Sequence, residues 1–182
     1  MDVDAWLPGP QVRTHHRREA AAEPAALWDA ARSVRLDETR TLGLLVRWRI
    51  PGTPPSLTFS ELLAGDPFCL LAEGDGWSIS GLAGQIWTLR RDYPRLDDGE
   101  DFRAWSQPGT VRVLMAHWVE PAPGGSALVS EARVAPVDRL AGLRLRALWA
   151  VISPFERLIG AEALAAAARR AERPRAPGPP AR

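Results

Sequence analysis

The spacing of apolar positions is helical in the first third of the chain, two-residue in the middle and helical again at the end. Val12–Ala20 (VRTHHRREA) is short, polar and flanked by proline-containing segments, and it reads as a first strand. Glu23-Pro24 opens a helix, with proline in the first turn where its missing N–H costs nothing, and Leu27, Trp28 and Ala31 supply an apolar stripe. A second short helix fits residues 38–48, with Leu42, Leu45 and Val46 on one side and Pro51, Pro54 and Pro55 as its stop. Residues 58–63 predict a capped helical turn in which Thr58 and Glu61 form a reciprocal capping box.

From Pro67 onward the period is that of strands. They are expected at residues 68–73, 77–81, 85–90, 99–105, 111–120 and 127–135. Gly74-Asp75-Gly76 forms a hairpin connection, Pro108-Gly109 a turn and residues 121–126 a loop. Residues 137–171 then predict one long helix, buried along Leu140, Leu143, Ala147, Val151, Phe155, Leu158 and Ile159 and kinked or split at Pro154. This order gives an α+β fold. One long helix covers an antiparallel sheet by lying across a concave face, which leaves a cavity between them: a helix-grip architecture.

Composition narrows the function classes. At 182 residues the chain is one domain's worth, expected over residues 1–172 with a disordered Pro/Arg-rich tail at 173–182. A net charge of +1 leaves no global field for nucleic acid, so none is expected as a partner. All basic side chains are Arg and the chain has no Lys or Asn; because the arginines are scattered among acids, coding bias explains them better than selection for anion binding. One cysteine and three histidines predict no internal disulfide, no metal site and no cofactor. No apolar run reaches the ~18 residues of a transmembrane segment. The acidic, proline-broken start does not read as a secretory signal, so the expected location is cytoplasmic.

Five stretches carry a family resemblance: VRTHH (12–16) before Trp28, TFSELL (58–63), GLAGQIW (81–87), FRAWSQPG (102–109), and SEARV (130–134) before Asp138 and Trp149. In order and spacing they resemble the START-like superfamily, also called SRPBCC, which includes polyketide cyclases, lipid-transfer domains and birch-pollen-type allergens. The likeness is to a bacterial branch of unassigned reaction and spans all but the tail. It implies a cavity between sheet and long helix for an apolar or amphipathic small molecule. Burying about 300 Å² of such a guest is worth roughly 7 kcal/mol before association costs, so a few polar groups are needed to orient it.

The leading candidate for chemistry is His117. Alternation places it with Val111, Val113, Met115 and Val119 on the more apolar, hence inward, face, as an acid/base group or else as a structural histidine. Glu131 and Arg133 join it as catalytic candidates if odd residues of the next strand pair with odd ones. A register slipped by one turns Leu128, Ser130, Ala132 and Val134 inward instead. Trp87, Trp105, Val113, Met115, Val151 and Phe155 are the expected ligand-binding residues. Gly81 and Gly84 suit a bend better than a phosphate loop, since no helix follows them. His15 and His16 point to opposite faces and cannot chelate together, although His16 can reach the long helix. Cys69 lies in an apolar strand that raises its thiol pKa, and Ser80 lacks a nucleophile-elbow context.

Two functions follow as expectations. The first is binding of a small hydrophobic molecule; the alternative is a cyclase/aromatase-like enzyme moving protons through His117, Glu131 and Arg133. A purely structural or interaction protein fits less well, and a homodimer is left open.

Overall fold

The computed structural model describes residues 1–88 and 93–173, apart from the side chains of Pro154, Phe155, Arg157, Leu158 and Ile159. Five strands form an antiparallel, curved and unclosed sheet: β1 (Val12–Ala20), β2 (Cys69–Gly74), β3 (Trp77–Gly84), β4 (Val111–Ala122) and β5 (Gly125–Pro136), in the order β1-β5-β4-β3-β2. The polar β1 is an edge strand, buried only at Val12 and Ala20, and its charged side chains discourage further pairing. β5, held between β1 and β4, is buried along almost its whole length. Such burial requires cover on both faces of the sheet.

One face carries the helices α1 (Pro24–Arg32), α3 (Phe59–Ala64) and α5 (Arg139–Ala171). At one end, Leu27 of α1 and Leu164, Ala167 and Ala168 of α5 pack with Ala20 and Leu128. At the other, Leu145 of α5 packs with Val12, Val111 and Val134, joined by Trp87 and Trp149. The opposite face is covered by the N-terminal residues and by α4 (Gly99–Ala104). Val3, Leu7, Leu96 and Phe102 pack there against Ile79, Leu114 and Ala116. The proline-broken start of the chain is therefore a core-forming strap.

Several expectations change for identifiable reasons. In place of the strand expected at 99–105, Gly99–Ala104 form a helix: Asp98 is an N-cap accepting from the amides of Glu100 and Asp101, whose charges also suit the first turn. The strand expected at 85–90 is not formed at residues 85–88, which turn away after Gly84, a residue at φ 140° with the Tyr93 ring against it. Its last two residues lie outside the described residues. Residues 38–48 divide into a 3₁₀ turn at Leu36–Glu38 and α2 (Thr41–Arg49). The start of α2 is capped from α5: the Glu162 carboxylate accepts from the amides of Arg40, Thr41 and Leu42 at 2.7–3.0 Å. Leu45, expected on the packed side of α2, is exposed. The loop expected at 121–126 shrinks to a Pro123-Gly124 turn, because the two strands pair as far as Ala122 and Gly125. The capping box at Thr58 and Glu61 forms as expected.

α5 runs as one 33-residue helix through Pro154, with Asp138 as its N-cap. Its buried stripe is rotated from the expected one. Ala141 and Leu145 are buried, whereas Leu140, Leu143 and Val151 are 53%, 56% and 68% exposed and Ala147 is exposed too. The side chains of Phe155, Leu158 and Ile159 lie outside the described residues. No helix among the described residues is long and apolar enough to cross a membrane.

Candidate ligand-binding site

Strand register decides which candidates meet. His117 pairs with Ser130 and Met115 with Ala132, so the odd residues of β4 share a face with the even residues of β5. That face lies under the helices. Glu131 and Arg133 point to the other one, so the three-residue constellation of His117, Glu131 and Arg133 does not assemble. The slipped register wins because Leu128 and Val134 then meet apolar residues of α1 and α5.

Direct cross-strand partners place one polar row across the whole helix-side face. It runs from His16 (β1) through Ser130 (β5), His117 (β4) and Ser78 (β3) to Glu73 (β2). One end is tied to α5, where His16 Nε2 meets Glu156 Oε1 at 2.5 Å. A β-carbon at Gly160 would collide with the His16 ring, so this glycine is what lets β1 and α5 approach. The other half of the row opens into a cavity of about 230 Å³.

Three layers of side chains build that cavity. Ser78, Ser80, His117 and Leu128 form its floor, with Leu70 and Glu73 on the edge strand. Trp28 and Ala31 of α1, and Phe59 and Leu63 of α3, form one wall. Ala163, Leu164 and Ala167 of α5 form the other. Ala163 and Ala167 lie four apart on one helical face, and their small size leaves the space open. Arg32 and Glu73 place one charge of each sign at the exposed rim.

His117 is part-buried, and among the described residues none hydrogen-bonds its ring. Among the described residues no sealed polar side-chain atom lacks a partner, so the ring nitrogens meet the cavity and not the packed core. Burial pushes the imidazole down to about 4, which leaves it neutral at pH 7 with one donor and one acceptor nitrogen. A histidine whose folded pKa lies below its unfolded value of 6.5 takes up its proton more readily when unfolded. It therefore costs no stability above pH 6.5 and an increasing amount as pH falls toward 4, with a ceiling of roughly 3 kcal/mol. Urea unfolding at pH 7.5 and pH 4.5 (each ~0.1 M salt) should show this loss reduced in His117→Gln; an unchanged pH dependence would show that His117 is not desolvated.

The other expected site residues are dispersed. Val113 and Trp87 are on the helix side but at the far end of the sheet, packed around Leu145. Met115 lies on the His117 face, part-buried, outside the cavity lining. Trp105 is on the opposite side of the sheet, where its indole N–H donates to Thr110 Oγ1 at 2.9 Å. Val151 faces outward, and the Phe155 side chain lies outside the described residues. Sequence reasoning missed the apolar walls, Trp28, Phe59, Leu63 and Leu164, and with them the small residues Ser78, Ser80, Ala163 and Ala167. The i, i+4 alanine pair is a local signal that could have found Ala163 and Ala167.

Glu131 and Arg133 instead anchor the N-terminal strap. Arg133 donates to Glu131 Oε1 at 2.5 Å, to Asp4 Oδ1 at 2.5 Å and to the Leu7 carbonyl at 3.1 Å; Arg13 donates to Glu131 Oε2 at 2.8 Å. Burial alone would raise the Glu131 pKa, but hydrogen bonds from Arg13 and Arg133 outweigh it and hold the carboxylate below its ordinary value. Two cations and two anions close this cluster, which leaves it no free charge for chemistry.

Fold and site together define an α+β protein with an open antiparallel sheet and an apolar cavity between that sheet and the helices α1, α3 and α5. No family model matches the chain, and no curated protein sequence does. Among solved structures, the protein TTHA0849 from Thermus thermophilus is similar at 10% identity and TM-score 0.36, over 88% of this chain and 97% of that one. The hypothetical protein jhp0584 from Helicobacter pylori is similar at 10% identity and TM-score 0.40, over 91% and 94%. Mll3558 from Rhizobium loti is similar at 14% identity and TM-score 0.34, over 87% and 96%.

Proposed function

We propose that this chain is a helix-grip, START-like binding module that holds a small hydrophobic or amphipathic molecule between its sheet and its helices. The observation that carries this reading is the 230 Å³ cavity itself, walled by Trp28, Phe59, Leu63 and Leu164 and floored by Leu128 and an imidazole without a protein partner among the described residues. Apolar walls supply the driving force, and a few fixed polar groups orient the guest. The cyclase-like alternative keeps only His117 of its three acid/base residues, since Glu131 and Arg133 lie across the sheet in a closed ion-pair cluster. Binding without transformation is therefore the reading adopted.

Native mass spectrometry of the purified chain tests it. The expected result is an adduct of low mass, lost on collisional activation, or uptake of added 1-naphthol at one per chain. A bare protein mass that does not change with 1-naphthol would overturn the reading.

A further inference from the structure

The polar row on the sheet states what kind of guest the cavity suits, an inference that rests on the binding reading above. A cavity of 230 Å³ is about half as large again as the roughly 150 Å³ apolar void that takes a single benzene, so it suits a pair of fused rings or a short chain. Apart from Ser60 on the α3 wall and the charged rim, its polar groups lie on the sheet floor. Ser78 and His117 are direct cross-strand partners there, and Ser80 is two residues along β3 on the same face. None of these three side chains is engaged by another described residue. Each can donate one hydrogen bond and accept another.

The charged rim adds a second constraint. Arg32 and Glu73 cancel each other, and no cation lies on the floor. A carboxylate carried to the floor would lose its water and gain only neutral donors, a poor exchange. A hydroxyl or carbonyl oxygen needs no more than the imidazole and the serines provide. The neutral state of the His117 ring at pH 7 agrees with that pairing.

We propose that the guest is a small uncharged molecule, two fused rings or a short chain in size, whose single hydroxyl or carbonyl group hydrogen-bonds His117 together with Ser78 or Ser80. The apolar remainder lies between Phe59, Leu128 and Leu164, and the oxygen faces the sheet.

A matched probe series separates the parts of this claim. Naphthalene, 1-naphthol and 1-naphthoate are presented to the full chain in equilibrium dialysis at pH 7.5. The naphthol should bind about tenfold more tightly than naphthalene, the worth of one or two well-placed hydrogen bonds. The naphthoate should bind at least tenfold more weakly than the naphthol. In His117→Phe the naphthol and naphthalene affinities should converge to within about threefold, while His117→Gln, which keeps a neutral donor and acceptor, should retain most of the gap. Ser78→Ala with Ser80→Ala is a second variant, expected to weaken naphthol about threefold and leave naphthalene unchanged. Equal binding of naphthol and naphthalene, tighter binding of naphthoate, or a gap that survives both variants would overturn the polar anchor and leave the cavity reading standing. Failure of all three probes to bind would remove both.

Discussion

Arg133→Ala is expected to lower unfolding stability by about 3–5 kcal/mol, a large share of what a domain of this size has. The side chain is 3% exposed and so is that of Glu131, its partner at 2.5 Å. Removing the guanidinium leaves a buried carboxylate paired only with Arg13, which is 58% exposed and better solvated. It also frees Asp4 and the Leu7 carbonyl, and with them the strap that places Val3 and Leu7 over the sheet. The thermal midpoint should fall by about 10 °C. Joint replacement by Arg133→Met and Glu131→Leu should be less damaging than Arg133→Ala, because no unpaired charge remains buried. Denaturant melts of the two variants decide it. A loss below about 1 kcal/mol in Arg133→Ala would mean that the cluster does not hold the strap.

Acid should act on the same cluster. The Glu131 carboxylate, with its pKa held below the ordinary value, contributes stability that is complete above about pH 4.5 and disappears as pH falls through its folded value. His117 loses stability over the adjoining range above it, so the two effects reinforce each other on acidification.

Ala163→Trp should abolish guest binding, with at least a hundredfold loss for 1-naphthol. The indole grows from the α5 wall into a space of about 230 Å³ and occupies much of it. The fold should tolerate the change, since the side chain enters an existing void; a tightly packed position would lose about 1–3 kcal/mol. Val151→Trp is the informative control. Sequence periodicity expected Val151 to line the cavity, but it is 68% exposed, and its replacement should leave affinity within twofold. Equilibrium dialysis of both variants gives the answer. Unchanged binding in Ala163→Trp, or lost binding in Val151→Trp, would place the guest elsewhere.

Much of the fold was legible in the chain itself. The helix at Pro24, the capping box at Thr58, the hairpin strands and the terminal helix each depend on signals a few residues long: a proline in a first turn, a threonine three residues before a glutamate, an alternation of period two. The strand expected at 99–105 failed because the decisive signal was the acidic N-cap before it, which starts a helix. The stripe of α5 failed for a different reason. A helix rich in Ala and Leu has apolar residues on more than one face, so composition does not choose which one packs.

The site divides along the same line. Alternation along β4 was enough to put His117 on the helix-side face, because side chains of one strand alternate by covalent geometry. Its neighbours belong to other strands, and their pairing is set by which register buries more apolar surface against α1, α3 and α5. That choice sent Glu131 and Arg133 to the opposite face, aligned Ser130, His117 and Ser78 into one row, and brought Ala163 and Ala167 above it. Local order specifies elements and the faces of each one. Which faces meet is a property of the packed whole, since burial is gained only when distant segments come together.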